Sequence, residues 1–295
     1  MTGYSPDYHV ETPANLAEAL EKLAAEPGKW RPLAGGTDLM VLFDAGMLRD
    51  RHLLNIARLR ELRGIEASAH EVRIGALATY TEIKRDELLA HELPMLGRAA
   101  RESGAIAIQN RGTIGGNIVN ASPAADTPPA LLAYGAQVEL VSLRGSRTVD
   151  YAEFHSGYKT MDLAPDELLL RVRIPRDPRL DGALHDYRKV GTRRAQAISK
   201  VALAAVGRVD SGRVTLCRLG MASVAPVPAR MRNVEGEIVD NALSDEVIDR
   251  AVAAVDADIS PIDDVRSTRG YRLQVSKNLV RSFLLRLREH GDDRR

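Results

Sequence analysis

Apolar residues near the start of the chain follow first a helical and then a strand-like spacing. Thr12-Pro13 is a favourable helix start, and leucines follow at helical spacing up to Leu23. A short apolar strand is predicted at 30–34, and Gly35-Gly36 connects it to a second helix from about Asp38. The pattern therefore predicts a strand, a glycine turn and a helix in succession.

Mixed patterns continue through the next part of the chain. Alternating or clustered apolar residues predict strands at 72–77, 138–143 and 168–174. Helical spacing and helix-start residues predict helices at 80–90, 95–102 and 126–135. Strands and helices are thus interspersed within one region.

The stretch 175–182 is rich in proline and charged residues and is predicted to be a linker. Beyond it, apolar runs predict strands at 202–209 and 214–224, followed by helices after Ser244 and after Ser267. The predicted fold class is α+β. A first domain covers 1–177, with subdomains of about 1–60 and 61–177, and a smaller domain with an antiparallel sheet plus helices covers 178–290.

Composition and charge exclude several classes of function. The chain has 41 Lys and Arg against 40 Asp and Glu and only 4% aromatic residues, so no nucleic-acid surface is expected. The first residues do not resemble a signal peptide, and no apolar run approaches the roughly 18 residues of a transmembrane segment. We expect a cytoplasmic protein.

Metal chemistry within this chain is also not expected. Cys217 is the only cysteine, whereas an iron–sulfur cluster takes about four thiolates. The seven histidines include no HxxxH or HExxH pair, and His155 and His185 are expected to be solvated or hydrogen-bonded. Any redox chemistry must therefore come from an organic cofactor.

The first candidate site is the glycine segment 33–39. Adjacent glycines let successive N–H groups turn towards one point, and a helix that begins there adds its positive end. A diphosphate suits such a concavity, although a Gly-Gly turn before a helix is more often a plain chain reversal. The segment comprises Leu33, Ala34, Gly35, Gly36, Thr37, Asp38 and Leu39.

The second candidate site is a loop at 111–126. Three glycines within five residues permit close approach of a ligand to the backbone, and several polar side chains follow. Its residues of interest are Thr113, Ile114, Gly115, Gly116, Asn117, Ser122 and Asp126.

The third candidate is the basic stretch 187–197. One interpretation is a solvated basic strand end. The other is a cation in this stretch that neutralises a phosphate or the anionic pyrimidine edge of a reduced flavin. The residues alone leave both open.

Together these segments resemble the medium, FAD-binding subunit of the xanthine dehydrogenase and carbon monoxide dehydrogenase family. The run LAGGTDL resembles the first FAD diphosphate loop of that family, and TIGGNIVNASPAAD resembles the second. DELLLRVRIP and DYRKVGTRRAQAISKV resemble two further FAD-contacting stretches, which include Leu169 and Lys189. The resemblance covers nearly the whole chain and implies a two-part FAD-binding domain of the PCMH / vanillyl-alcohol oxidase type.

The resemblance also implies roles for individual residues. Backbone at 34–38 and 113–117 would hold the FAD diphosphate. Asp126 would hydrogen-bond the adenosine portion or loop backbone, and Lys189 would lie near the flavin. No catalytic side chain is implied, because the flavin supplies the chemistry.

In the family, electrons pass from a molybdenum centre through two [2Fe–2S] clusters to FAD and then to NAD⁺, a quinone or another acceptor. The resemblance therefore implies partners: an iron–sulfur small subunit and a molybdenum large subunit, assembled as a dimer of heterotrimers. Two alternatives stay open, a self-contained flavin oxidase and a scaffold that has lost FAD. Neither the substrate of the complex nor its acceptor can be predicted from this chain.

Overall fold

A computed structural model describes residues 7–193 and 196–292 of the chain. Arg194 of the basic stretch and the last three residues, 293–295, lie outside the described residues. The first subdomain is a parallel sheet of order β1-β3-β2 with two helices between its strands. Its elements are β1 (His9–Glu11), α1 (Leu16–Ala25), β2 (Trp30–Leu33), α2 (Leu39–Asp44) and β3 (His52–Asn55).

The start of α1 differs from the prediction. Asn15, and not Thr12, is the residue that caps the helix, and its side chain accepts a hydrogen bond of 3.0 Å from the Glu18 N–H. An Asn side chain is as effective a cap as Thr. The prediction from Thr12-Pro13 therefore placed the start of the helix about one turn too early.

The second subdomain is built on an antiparallel sheet of order β4-β5-β10-β6-β7 and a small hairpin, β8-β9. The large sheet contains β4 (Ile65–Ala67), β5 (Glu71–Gly75), β6 (Gln137–Ser142), β7 (Gly145–Asp150) and β10 (Leu168–Pro175). The hairpin is formed by β8 (His155–Gly157) and β9 (Thr160–Met161). The three strands predicted for this region are confirmed as β5, β6 and β10, and the sequence pattern missed β4, β7, β8 and β9.

Short helices cover this sheet. They are α3 (Tyr80–Arg85), α4 (Glu87–Glu92), α5 (Pro94–Glu102), α6 (Ile106–Gln109), α7 (Ile114–Val119), α8 (Pro128–Ala133) and α9 (Tyr151–Phe154). The single helix predicted at 80–90 is divided at Asp86, whose backbone is extended and whose side chain caps α4 through the Leu89 N–H. Residues 114–119 of the second glycine segment, which was predicted as a loop, form α7.

The C-terminal domain is an antiparallel sheet of order β11-β12-β13-β14 followed by three helices. Its elements are β11 (Leu184–Val190), β12 (Val201–Asp210), β13 (Arg213–Ala222), β14 (Ala229–Arg230), α10 (Arg232–Ile238), α11 (Asp245–Asp258) and α12 (Arg269–Asp292). Single turns of 3-10 helix lie at Arg60–Leu62 and Pro178–Leu180.

The apolar core of the first domain extends onto the sheet of the C-terminal domain. Val201, Leu203 and Ala205 pack against the C-terminal helices, whereas Ala204 and Val206, on the opposite face of β12, belong to the core of the first domain. This alternation follows from the two-residue period of a strand. Because both of its faces are buried, the sequence of β12 is a nearly continuous apolar run.

At the same junction α8 lies directly on β13. A Cβ on Gly220 would come within 2.4 Å of the Pro129 carbonyl oxygen. The stretch 175–182 therefore does not separate two independent bodies. No helix in the described part of the chain is both long and apolar enough to cross a membrane.

Candidate functional site

A cleft of about 1250 Å³ brings the two glycine segments together. It lies where β2, α7 and the end of the 191–198 loop meet. The predicted site residues that line it are Ala34, Gly35, Gly36, Thr37, Asp38, Leu39, Thr113, Gly115, Gly116, Asn117, Ser122, Asp126 and Leu169.

Direct backbone contact between Gly35 and Arg111 joins the two segments. A Cβ on Gly35 would lie 1.8 Å from the Arg111 carbonyl oxygen, so only glycine fits. The Arg111 side chain donates from Nε to the Gly35 carbonyl at 3.1 Å. Further along, Nδ2 of Asn120 donates to the Asp38 carboxylate at 3.1 Å. Two segments far apart in sequence thus form one wall.

The first glycine segment presents unused backbone donors. No described residue accepts a hydrogen bond from the N–H groups of residues 35–39. Gly36 has φ +76°, the left-handed conformation that turns successive N–H groups in one direction. Buried or half-buried N–H groups are normally paired, so a run of free ones beside a cleft is a cradle for an anion.

The backbone of the second glycine segment was expected to hold a diphosphate at 113–117, but the N–H groups of residues 114–117 are already bonded within the protein. Ile114 and Gly115 donate to the carbonyls of Ala78 and Ala76, and Gly116 and Asn117 donate to the side chain and carbonyl of Thr113. Thr113 is therefore an N-cap of α7. The segment is a packed helix start, and the free backbone donors lie in the first segment.

Packing also explains two glycines of the second segment. A Cβ on Gly115 would lie 2.7 Å from the Ala76 Cβ, and one on Gly112 would lie 2.8 Å from the Tyr80 ring. Their missing side chains let the start of α7 pack against Ala76 and the chain before α7 pack against α3. We predicted these glycines for close approach of a ligand, but the contacts that exclude a side chain are protein contacts.

Asp126 is the charged group at the inner end of this wall. Its Oδ2 accepts a hydrogen bond of 2.8 Å from Lys189 Nζ, and the two side chains are 13% and 6% exposed. Burial raises the pKa of Asp126 to about 6, and the positive charge of Lys189 opposes the rise. The solvated interpretation of Lys189 is wrong. Lys189 points inward, whereas Arg188, on the other face of β11, is 55% exposed.

Oδ1 of Asp126 is buried and has no hydrogen-bond partner among the described residues. A buried carboxylate oxygen without a donor costs free energy, about 1–3 kcal/mol for a typical unsatisfied group. Because Asp126 lines the cleft, a donor on a bound molecule could satisfy this oxygen.

The C-terminal domain holds the segment that carries Asp126. The Tyr187 hydroxyl donates to the Asp126 carbonyl at 3.1 Å, and Ser199 Oγ donates to the Ala124 carbonyl at 3.2 Å. The Ser223 N–H donates to the Pro123 carbonyl at 2.7 Å. The position of Asp126 therefore depends on both domains.

Three predicted residues do not line the cleft. Leu33 packs with the small apolar cluster under α2, and Ile114 is fully buried in the core of the first domain. Lys189 lies behind Asp126. Cleft residues that the sequence analysis missed include Arg31, Lys159 and Ile198. Of these, only Lys159 lies in a segment that the sequence could have indicated, because Gly-Tyr-Lys-Thr at 157–160 is a short turn between two strands.

Comparisons with known proteins identify the fold and its ligand. Residues 6–177 match the family described as the FAD binding domain in molybdopterin dehydrogenase. Residues 186–287 match the CO dehydrogenase flavoprotein C-terminal domain. The chain belongs to this flavoprotein family. Its two-domain fold and its membership, both expected from the sequence, are confirmed.

Relatives of this flavoprotein span almost its whole length. It is 33% identical to the glyceraldehyde dehydrogenase medium chain of Sulfolobus acidocaldarius, over 94% of this chain and 97% of that protein. It is 33% identical to the xanthine dehydrogenase FAD-binding subunit of Escherichia coli O157:H7, over 92% of each. The reconstituted CO dehydrogenase from Oligotropha carboxidovorans contains a chain that superposes with a TM-score of 0.92 at 27% identity, covering 98% of this chain and all of that one.

Family membership makes this chain the FAD subunit of an oxidoreductase of the xanthine and CO dehydrogenase type. FAD fits the site on two observations: free N–H groups at 35–39 for its diphosphate and the unpaired Oδ1 of Asp126 for a donor. Within the described residues, no group of three or more His, Cys, Asp or Glu side chains could hold a metal ion.

Proposed function

We propose that this chain passes electrons from the [2Fe–2S] clusters of a partner subunit, through FAD, to NAD⁺, a quinone or another acceptor. The observation that carries the proposal is the row of unused N–H groups at 35–39, in a cleft that residues of α7 also line. A row of convergent N–H groups binds a diphosphate without needing a dedicated side chain.

Each part of the cleft has a role in this proposal. The N–H groups of the first segment bind the diphosphate, and Asp126 accepts a hydrogen bond from FAD while Lys189 keeps the carboxylate in place. Leu33, Ile114 and Lys189 support the site from behind. The residues that contact FAD directly are Ala34, Gly35, Gly36, Thr37, Asp38, Leu39, Thr113, Gly115, Gly116, Asn117, Ser122, Asp126 and Leu169.

When bound, FAD supplies the electron-transfer chemistry, which no side chain of this protein can replace. Cys217, the single cysteine, is 3% exposed, and burial raises its pKa, so it remains a thiol. The clusters and the molybdenum cofactor belong to partners: an iron–sulfur small subunit and a molybdenum large subunit, in a dimer of heterotrimers. The names "medium chain" and "FAD-binding subunit" of the relatives support this assembly.

Titration of the FAD-free chain with FAD tests the proposal. One equivalent should bind, with the visible absorption of a protein-bound flavin. After anaerobic reduction with dithionite, the bound flavin should be reoxidised by NAD⁺ or by a soluble quinone, and the faster of the two indicates the acceptor. A chain that binds no FAD would be a scaffold, and the proposal would be wrong. A cytoplasmic location remains a prediction from the sequence.

A further inference from the structure

Lys159 lies at the rim of the cleft in an unusual backbone conformation. It occupies the turn of the β8-β9 hairpin with φ +58°, a left-handed conformation that non-glycine residues adopt infrequently. The lysine side chain lines the cleft together with residues 34–39.

Two hydrogen bonds hold the ammonium group of Lys159. Nζ donates to the carbonyl oxygen of Asn120 at 2.5 Å and to its side-chain Oδ1 at 2.6 Å. Nδ2 of the same Asn120 donates to Oδ1 of Asp38 at 3.1 Å. A continuous chain of hydrogen bonds therefore connects the hairpin, the end of α7 and the first glycine segment.

This arrangement leaves one of the three N–H donors of the Lys159 ammonium group without an acceptor in the part of the chain that the structure describes. An ammonium group has three donors, and both acceptors found for Lys159 are neutral oxygens of Asn120. No carboxylate among the described residues lies within 4.0 Å of Nζ. One donor of Nζ is thus available beside the N–H groups of residues 35–39, and the Asp38 carboxylate acts on the ammonium group only through space.

We propose that Lys159 is a further binding residue of the site and donates its third N–H to the diphosphate of FAD. The proposal rests on the proposed function, since it assumes that FAD occupies the cleft. The N–H groups of the first segment provide direction but only partial charges, whereas a diphosphate carries negative charge that a cation neutralises. Asn120 acts as a positioning residue that sets Lys159 over the first segment.

Direct titration of the FAD-free chain tests this role. Lys159→Gln removes the charge but keeps an amide that can still donate to Asn120. Lys159→Arg keeps the charge. Lys84→Met is the matched control, because Lys84 is also bonded to a side-chain amide oxygen, Oε1 of Gln109 at 2.7 Å, but does not line the cleft.

Lys159→Gln should bind FAD about 10- to 100-fold more weakly, the loss expected for one charge-assisted hydrogen bond. ADP, which carries the diphosphate without the flavin, should lose affinity by a similar factor when it competes with FAD. Affinity should also depend less on salt in this variant. Lys159→Arg and Lys84→Met should stay close to wild type.

Equal affinities of Lys159→Gln and Lys84→Met for FAD would overturn the role of Lys159. So would a loss of FAD affinity without a loss for ADP, because the diphosphate would then not be the group contacted. Thermal melting of each FAD-free variant separates these results from a folding defect. A wild-type chain that binds no FAD would overturn the proposed function itself.

Discussion

Lys189 and Asp126 form a buried ion pair that joins the two domains at the cleft, with Nζ 2.8 Å from Oδ2. Nζ also donates to the Glu102 carbonyl at 3.0 Å. The lysine comes from β11 of the C-terminal domain and the carboxylate from the segment after α7. The pair therefore connects the geometry of the site to the packing of the domains.

Removal of Lys189 should damage stability as well as FAD binding. Lys189→Met leaves Asp126 buried without its cation, and breaking a buried pair costs about 3–5 kcal/mol of the free energy of unfolding. Urea denaturation at about pH 8 measures this loss. The control is Lys277→Met, because Asp256, the partner of Lys277, is 55% exposed, and loss of such a pair costs about 1 kcal/mol or less. Similar losses in both variants would contradict a buried pair.

Asp126 should make stability depend on pH in a defined direction. Its pKa in the folded chain is about 6, above the ordinary value of 3.8, so the folded state binds more protons than the unfolded state between these values. Stability therefore falls as pH rises from about 4 through about 6, by up to about 3 kcal/mol from this one group. In Asp126→Asn that fall should be absent. Parallel urea-denaturation profiles against pH for the two FAD-free proteins would contradict the raised pKa.

Sequence patterns predicted the parts of the fold that depend on local spacing. Three strands of the large sheet and the helix after Gly36 were found because apolar periodicity and glycine position are local properties. The orientation of Lys189 was not predictable in this way. Lys189 and Arg188 are adjacent basic residues, and only the pairing of β11 with β12 shows which of them is directed inward.

The two glycine segments of the candidate site were also predicted from local sequence, but the role of each glycine was not. Both glycine segments do meet, but their glycines serve different purposes. Gly36 has the left-handed conformation of a turn, whereas Gly115 makes room for Ala76, a residue distant in sequence. A glycine required by a distant neighbour looks the same in the sequence as one required by a ligand.

The contact between Gly35 and Arg111 can be tested with the smallest side chain. Gly35→Ala would place Cβ 1.8 Å from the Arg111 carbonyl oxygen, so the two segments must separate and FAD affinity should fall by at least about tenfold. Gly97→Ala is the control, because nothing lies within 4 Å of its Cβ inside α5, and alanine there should stabilise the helix by up to about 1 kcal/mol. FAD titration and thermal melting give both values. Unchanged FAD affinity in Gly35→Ala would show that the two segments need not touch.

Gly36 and Gly46 offer a matched pair for the anion cradle. Both have positive φ, +76° and +66°, and neither would bring a Cβ closer than 3.5 Å to another group. Alanine at either position should therefore cost a similar free energy of unfolding, about 1–2 kcal/mol for the left-handed conformation. Only Gly36→Ala should also weaken FAD binding, because it alters the direction of the free N–H groups. Equal FAD affinities in the two variants would show that the first segment does not bind the diphosphate.

The last prediction concerns which cofactors this chain carries and which its partner subunits carry. Purified alone, the chain should contain FAD but neither iron nor molybdenum, because its single cysteine cannot hold a cluster and the described residues provide no alternative metal site. It should oxidise no purine, aldehyde or CO. After addition of a cluster-bearing small subunit and a molybdenum-bearing large subunit, the substrate of the complex should reduce the bound flavin. Anaerobic stopped-flow spectroscopy, with each subunit omitted in turn, measures this dependence. Flavin reduction by substrate without the small subunit would mean that electrons reach FAD by another route, and turnover by the isolated, metal-free chain would identify a self-contained oxidase.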